Sequence, residues 1–245
     1  MDFNTGGSGG QNPNDPSRPL FGGESPRSSP GPAGGPRGPA GGEFTISDPV
    51  GSFISTARNL VLNPVGFFRG IARRGDFVGP LVFAVICALI SALIGGLLGL
   101  VLTPLFANTG GTGEAFVSGL LGFVGGLILG PIIRAIFSFA WSGILYLFVM
   151  LLVKPSNAGY EATFRVVSYS SVVQLVSWIP VVGTIVAFVW GTILSILGIR
   201  EAHSTTTKNA MLVVLIPTGL ILLLVVVPIA VLLGAAAFTL LQQRT

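Results

Sequence analysis

The fold is decided by residues 81–103, which read LVFAVICALISALIGGLLGLVLT and contain no charged side chain. A helix needs about 20 consecutive apolar residues to cross the hydrocarbon core of a bilayer, and this stretch has that length. Uninterrupted apolar runs of this kind indicate a transmembrane helix. Residues 81–103 therefore predict a membrane span.

The chain beyond this stretch is of similar character. The whole sequence is 51% hydrophobic and 9% charged, whereas about a quarter of the residues in a soluble domain are charged. After Asp76 the only acidic residues are Glu114, Glu161 and Glu201. We therefore predict an all-α fold, a polytopic transmembrane helical bundle of about five spans behind a disordered N-terminal tail. The predicted spans are residues 81–103, 115–153, 163–178, 182–199 and 211–241.

The second of these runs, residues 115–153, is too long for one ordinary crossing and contains Pro131 and Arg134. It crosses either once, with its first half as an extra helix on the far side, or twice. One crossing keeps the bias of Lys and Arg toward the cytoplasm that membrane proteins show, and two crossings nearly remove it. We favour one crossing, which leaves Arg134 and Arg244 outside. On the cytoplasmic side it places Arg58, Arg69, Arg73, Arg74, Lys154, Arg165, Arg200 and Lys208.

Composition divides the chain into three parts. Residues 1–45 are rich in Gly and Pro, and such a segment has too few apolar residues to offset the entropy of ordering. Residues 46–75 read as amphipathic helices that begin at Asp48-Pro49 and begin again at Asn63-Pro64. These helices lie in the membrane interface or pack on the bundle, and the pattern fits both. Residues 76–245 form the transmembrane domain.

The residues needed for catalysis are scarce. Beyond Asp76 there is no aspartate, and the chain has one histidine, His203, and one cysteine, Cys87. Aspartyl and zinc-dependent proteolysis are therefore excluded, and no phosphate-cradling G-x-x-x-x-G-K sequence is present. We predict a protein that is not an enzyme, with no catalytic residues, no cofactor and no metal site.

The net charge of +4 does not indicate a nucleic-acid partner, because the basic residues are scattered at the ends of apolar runs. The lipid bilayer is the predicted partner instead. Arg200, His203 and Lys208 follow the fourth span, where they are expected to meet lipid headgroups. Glu161 and Arg165 are four residues apart and are expected to pair across one helical turn.

Small residues and a turn predict how the helices pack. Ser118, Gly122, Gly126 and Gly130 repeat at every fourth position, which is typical of a face that lets two helices approach closely. Pro180 and Gly183 predict a tight hairpin between the third and fourth spans. Tyr169 and Trp190, on either side of it, are expected to pack against other helices.

Three stretches resemble the YIP family of Ypt/Rab-interacting membrane proteins. Residues 76–81, DFVGPL, are similar to the family's Asp-Leu-x-Gly-Pro motif before the first span. Tyr169 and the turn WIPVVG at 178–183 resemble its third helix and the turn that follows. Trp190 and LGIREAH at 197–203 resemble the end of its fourth helix. The interaction candidates are therefore Asp76, Gly79, Pro80, Tyr169, Pro180, Gly183, Trp190, Arg200 and His203.

The resemblance implies a non-enzymatic membrane scaffold or adaptor of the membrane-trafficking type. Its implied partners are other membrane proteins or further copies of the chain, and a small GTPase if the source is eukaryotic. The bias toward Gly and Pro favours a prokaryotic member, whose location would be the plasma membrane; a eukaryotic member would lie in the ER or Golgi. The alternative function is a small membrane transporter or channel component, because Arg134, Glu161 and Arg165 are ionisable and prolines interrupt the helices.

Overall fold

A computed structural model describes residues 42–106 and 112–242, which are almost wholly helical and include no strand. The all-α prediction is confirmed. The predicted disordered tail lies outside the described residues as far as residue 41. The helices are α1 Pro49–Leu62, α2 Pro64–Gly70, α3 Val78–Phe106, α4 Thr112–Leu152, α5 Tyr160–Tyr169, α6 Gln174–Ser177, α7 Val182–Ala202 and α8 Thr207–Gln242.

Four of these helices are long and apolar enough to cross a membrane, which confirms a multi-pass membrane protein. A helix suits the bilayer because all but its terminal backbone polar groups are hydrogen-bonded within the helix. The four candidate spans are Val78–Leu102, Phe116–Leu152, Val182–Ala202 and Thr207–Ile229.

The long run after the first span is one continuous helix. Helix α4 has 41 residues and passes through Pro131 without a turn. It runs antiparallel to α3, because Phe123 packs on Gly96 near the end of α3 and Phe139 lies beside Phe77 at its start. One crossing is therefore the correct reading, but the extra helix expected on the far side is wrong. Proline removes one hydrogen bond, but α4 remains helical on both sides of Pro131.

The third predicted span is not a single α-helix. Helix α5 leads into the 3-10 turn Ser170–Val173 and then into α6, and we call residues 160–177 the central segment. Ser170 Oγ donates to the carbonyl of Val166 at 2.7 Å, and such bonds from a side chain to the preceding turn compete with regular helix geometry. Most of α5 and of the 3-10 turn is buried within the bundle, so this polar segment is sheltered from lipid.

The central segment still passes along the bundle. It begins beside the start of α3, where Phe77 contacts Phe164, and it ends at Trp178, whose Cβ would lie 3.4 Å from a Cβ on Gly95. Helix α7 returns, since Ala158 donates to His203 just after its end, and α8 runs outward again. The chain therefore runs from one end of the bundle to the other five times. Four of these passes are long apolar helices and one is the central segment.

The two short helices begin where the sequence predicts. Asp48 caps α1 by accepting from the N–H of Gly51, and Asn63 ends α1 and caps α2 by accepting from the N–H of Gly66. Such caps satisfy N–H groups that have no partner within the helix. Helix α2 packs against α7 through the buried Phe67 and Phe68. Helix α1 buries one face and leaves an apolar face exposed.

The hairpin between the central segment and α7 is confirmed, but its residues act differently from the expectation. The carbonyl of Pro180 accepts from the N–H of Val182 at 2.7 Å, and Val181 has φ 62° and ψ −63°. This is a γ-turn of the rare, strained type. Gly183 is already helical, and a Cβ there would collide with the carbonyl oxygen of Val176. Glycine is therefore required for close approach and Val181 reverses the chain.

The predicted glycine packing face of α4 does not pack closely. A Cβ placed on Gly122, Gly126 or Gly130 would meet no atom within 4 Å. These glycines line an open groove of about 660 Å³ between α3 and α4, which we call the α3–α4 groove. The small residues of α4 thus leave space between the helices.

Candidate functional site at the charged end

Most of the charged side chains of the bundle gather at one end, where α3 begins and α7 ends. We call this the charged end; the opposite end carries the turn at Pro180. Hydrogen bonds form one group around Arg165 and another around Glu201, while Arg73, Glu161 and His203 bond to neighbouring backbone or hydroxyl groups. The contacts involve Glu43, Arg69, Arg73, Asp76, Glu161, Arg165, Arg200, Glu201 and His203.

Arg165 is the centre of the first group. Its side chain is buried and forms an ion pair with Glu43, which is also buried. Tyr169, one turn later on α5, donates from its hydroxyl to the same Glu43 oxygen at 3.1 Å. The second oxygen of Glu43 accepts from the N–H of Ala72 at 2.6 Å. A buried charge pair is tolerated only when its remaining polar groups are also satisfied, and these bonds hold residue 43 against the bundle.

The residues of the motif before the first span line the same site. Arg165 Nη2 donates to the carbonyl oxygen of Asp76 at 3.0 Å and lies 3.6 Å from its carboxylate. Gly79 approaches the carbonyl oxygen of Phe44, from which a Cβ would be 3.4 Å away. Four of the interaction candidates therefore share one cavity of about 380 Å³ with Glu43 and Arg165. These four are Asp76, Gly79, Pro80 and Tyr169.

The expected ion pair between Glu161 and Arg165 is absent from the described residues, so that prediction is wrong. Glu161 accepts instead from the N–H of Gly75 at 3.0 Å. The reason is energetic: a pair one helical turn apart on an exposed face contributes about 0.5 kcal/mol or less. The buried carboxylate of Glu43 competes better for Arg165, because it is also held by Tyr169.

Arg200 belongs to the second group, around Glu201. Arg200 Nη2 donates to Glu201 at 2.7 Å, and Arg69 of α2 donates to the other oxygen of Glu201 at 3.1 Å. The end of α7 is therefore tied to α2, although Arg69 is 71% exposed and its own bond contributes little. Arg200 thus has a protein partner in addition to the lipid headgroups expected for it.

His203 lies beside this group and is fully buried. Its Nδ1 accepts from the N–H of Ala158 at 3.1 Å, so in the neutral ring Nε2 carries the proton and donates to Thr163 Oγ1 at 3.0 Å. Burial lowers the pKa of His203 to about 4, and the positive charge of Arg73 acts in the same direction. The histidine therefore joins α7 to the start of the central segment as a neutral hydrogen-bonding group.

The other interaction candidates are distant from this site. Pro180 and Gly183 form the turn at the opposite end, and Trp190 is half-buried on α7 against the core. Tyr169 is fully buried, as expected. The sequence placed Arg134 outside the membrane, and this expectation is wrong. Arg134 lies within the candidate span Phe116–Leu152 and contacts Val167 and Ser171 of the central segment.

A comparison with known proteins gives the family. The family model described as the Yip1 domain matches residues 58–241, three quarters of the chain. The chain belongs to the Yip1 family. The matched region includes the four helices that are long and apolar enough to cross a membrane. No curated protein and no solved structure matches it significantly.

Glu43, the partner of Arg165 and Tyr169, was missed by the sequence prediction. Residues 43–45 read as the end of the tail, yet Glu43 and Phe44 are buried. They precede the part of the chain that the Yip1 model matches. The available signal was local: an acidic residue followed by an aromatic one, in GGEFTISDP, just before the Asp48 helix cap.

Proposed function

We propose that this Yip1-family protein is a non-enzymatic membrane scaffold, and that helix α1 forms its contact with another membrane protein. One observation carries the proposal. Helix α1 buries Ser52, Thr56 and Leu60 against the rest of the chain and exposes a row of apolar side chains on its other side. An exposed apolar face rimmed by polar residues is typical of a site that binds another protein or the membrane, and the experiment below distinguishes the two. The exposed apolar residues of α1 are Val50, Ile54, Val61 and Leu62, and the exposed Ile46 lies just before the helix.

Hydrogen bonds hold α1 in a fixed position on the rest of the chain, as an interface requires. Thr56 Oγ1 donates to the carbonyl of Gly42, and Ser52 exchanges hydrogen bonds with Thr45. The segment before α1 is in turn held by the pair of Glu43 and Arg165. A preorganised surface loses little entropy on binding. The site at the charged end therefore acts in this proposal as the anchor that positions α1.

Photo-crosslinking in native membranes tests the proposal. A photoreactive residue is placed at Ile54, which is 61% exposed on α1, or at the control position Leu224, which is 62% exposed on α8. We expect a discrete protein adduct from Ile54 that mass spectrometry assigns either to a second copy or to one other membrane protein. Lipid adducts alone at both positions would refute the scaffold proposal.

The alternative function, a small transporter or channel component, has one supporting observation. Arg134 is an ionisable residue in the middle of a membrane span, and such residues often mark a transport path. The other argument for it is weaker, because α4 and α8 are continuous through their prolines and provide no broken-helix ends. Uptake of a radiolabelled anion by proteoliposomes, abolished by Arg134→Gln, would favour this alternative.

A further inference from the structure

Arg134 lies at the middle of the long span of α4 and is not part of the hydrogen-bonded groups at the charged end. Its Nη2 donates to the carbonyl of Val167 at 3.4 Å and to the hydroxyl of Ser171. Its Nε is buried and has no hydrogen-bond partner, and no ion pair involves it within the part of the chain that the structure describes. A cation held in a membrane span without a carboxylate is costly. The guanidinium lies over the ring of Phe137, 5.5 Å from its centroid, and its Nε is the donor that remains available to a ligand.

A second unsatisfied group lies beside it. The side-chain oxygen of Gln174, on α6, is also buried without a partner. Arg134 and Gln174 both line the α3–α4 groove and a second cavity, of about 300 Å³, which we call the α7–α8 cavity. One donor and one acceptor without partners therefore belong to residues that line the same two cavities. A buried polar group that is left unpaired is unfavourable.

The two cavities differ in their lining. The α7–α8 cavity is mainly apolar, with Trp141, Val173 and Leu222 in its wall. Phe188, on its lining, is 48% exposed on the surface of the bundle, where a membrane protein meets lipid. The α3–α4 groove follows the glycines of α4 from Arg134 to Gly122, a distance of about 18 Å at 1.5 Å per residue.

We propose that Arg134 and Gln174 bind the phosphate monoester headgroup of a membrane lipid, whose apolar chain occupies the α7–α8 cavity. A singly protonated phosphate monoester has oxygens that accept from Arg134 Nε and an O–H that donates to the oxygen of Gln174. A phosphodiester headgroup lacks that O–H, and an ionised carboxylate lacks it too. Free phosphate would leave the apolar cavity unfilled. The α3–α4 groove gives the headgroup a passage toward the end that carries Pro180.

This binding site is independent of the scaffold proposal, because it uses none of the residues of α1 or of the charged end. Its test uses the full chain with Trp141, in the wall of the α7–α8 cavity, as the reporter. The substitutions Trp178→Phe and Trp190→Phe leave Trp141 as the single tryptophan. The protein is reconstituted in phosphatidylcholine vesicles that contain increasing fractions of phosphatidic acid with brominated chains, which quench tryptophan fluorescence on contact.

We expect saturable quenching of Trp141 by brominated phosphatidic acid, with an apparent affinity at least about tenfold tighter than that of brominated phosphatidylcholine. Arg134→Gln should weaken the binding of phosphatidic acid about tenfold or more, since it removes charge-assisted hydrogen bonds. Arg134→Lys should retain part of the binding. The control Arg58→Gln, on the exposed surface of α1, should leave it unchanged, and inorganic phosphate should not compete.

A second pair of variants keeps the test decisive if Arg134→Gln does not fold. Thr218 lines the α7–α8 cavity, so Thr218→Phe should block the lipid chain while Arg134 remains, and Thr218→Ser should bind normally. Equal quenching by the two brominated lipids, or wild-type binding in both Arg134→Gln and Thr218→Phe, would overturn the proposal. Competition by inorganic phosphate at matching concentration would show that the site binds free phosphate and not a lipid headgroup, which would also overturn the proposal.

Discussion

Protonation of His203 opposes folding, because the histidine is buried as a neutral group. Its folded pKa is about 4, against about 6.5 in an unfolded chain, so only the unfolded state takes up a proton between these values. Stability is then complete above pH 6.5 and falls as the pH drops toward 4. Since one pKa unit corresponds to about 1.4 kcal/mol, unfolding at pH 5 should be easier than at pH 7 by about 2 kcal/mol.

Unfolding by denaturant in detergent micelles at pH 7 and pH 5 measures this difference. The control is His203→Asn, which does not titrate and places an oxygen where Nδ1 accepts from Ala158. Between pH 7 and pH 5 the free energy of unfolding of this variant should fall by about 2 kcal/mol less than that of the wild type. An identical pH dependence in the two proteins would show that His203 does not titrate on unfolding.

Val181 is a residue whose backbone conformation is unfavourable. Its positive φ is unusual for a β-branched side chain, and the side chain is 72% exposed, so its removal forfeits little packing. Backbone strain of this kind costs about 1–3 kcal/mol. Glycine removes the strain, but it also makes the unfolded chain more flexible, which offsets part of the gain in stability. We expect Val181→Gly to stabilise the protein by about 1 kcal/mol in the same unfolding assay. Destabilisation would mean that the turn is not strained.

At the scale of the elements, the pair of Arg165 and Glu43 joins the segment before α1 to the central segment. Removal of one partner from a buried pair leaves an uncompensated charge and costs about 3–5 kcal/mol. We therefore expect Arg165→Met to destabilise the protein by that amount. Limited proteolysis should then cleave between residues 43 and 48, which the wild type protects.

Two controls accompany this variant. Arg58→Met, at an exposed position of α1, should change stability by less than about 0.5 kcal/mol. Glu43→Gln combined with Arg165→Met should recover part of the loss, because it removes the stranded charge. If the double variant is as unstable as the sum of the two single variants, the residues are not coupled.

At the scale of the whole molecule, five passes place residue 157 and the turn at Val181 on opposite sides of the membrane. The wild type serves as the blank, since its one cysteine, Cys87, is buried. In intact cells an impermeant maleimide should label Val181→Cys but should label Asn157→Cys only after permeabilisation, because Lys and Arg favour the cytoplasmic side. The reverse pattern would invert the topology, and equal labelling would exclude five passes.

The features that depend on local composition and periodicity could be predicted before the structure was known. Long apolar runs specify membrane helices, since a bilayer satisfies no backbone polar group, and Asp48 and Asn63 specify helix starts by their caps. The turn at Pro180 and the family resemblance were equally visible. Each of these depends on residues that are neighbours along the chain.

Which polar residues meet depends on contacts between segments that are distant along the chain, and these could not be predicted from local sequence. Glu43 and Arg165 are far apart in sequence, and their pairing wins over the nearby Glu161 because burial strengthens it. The central segment is too polar for a lipid-facing span, and it passes through the bundle because other helices enclose it. The glycines of α4 line open space instead of a contact, because the position of a neighbouring helix depends on the packing of the whole bundle, which spacing along one helix does not specify.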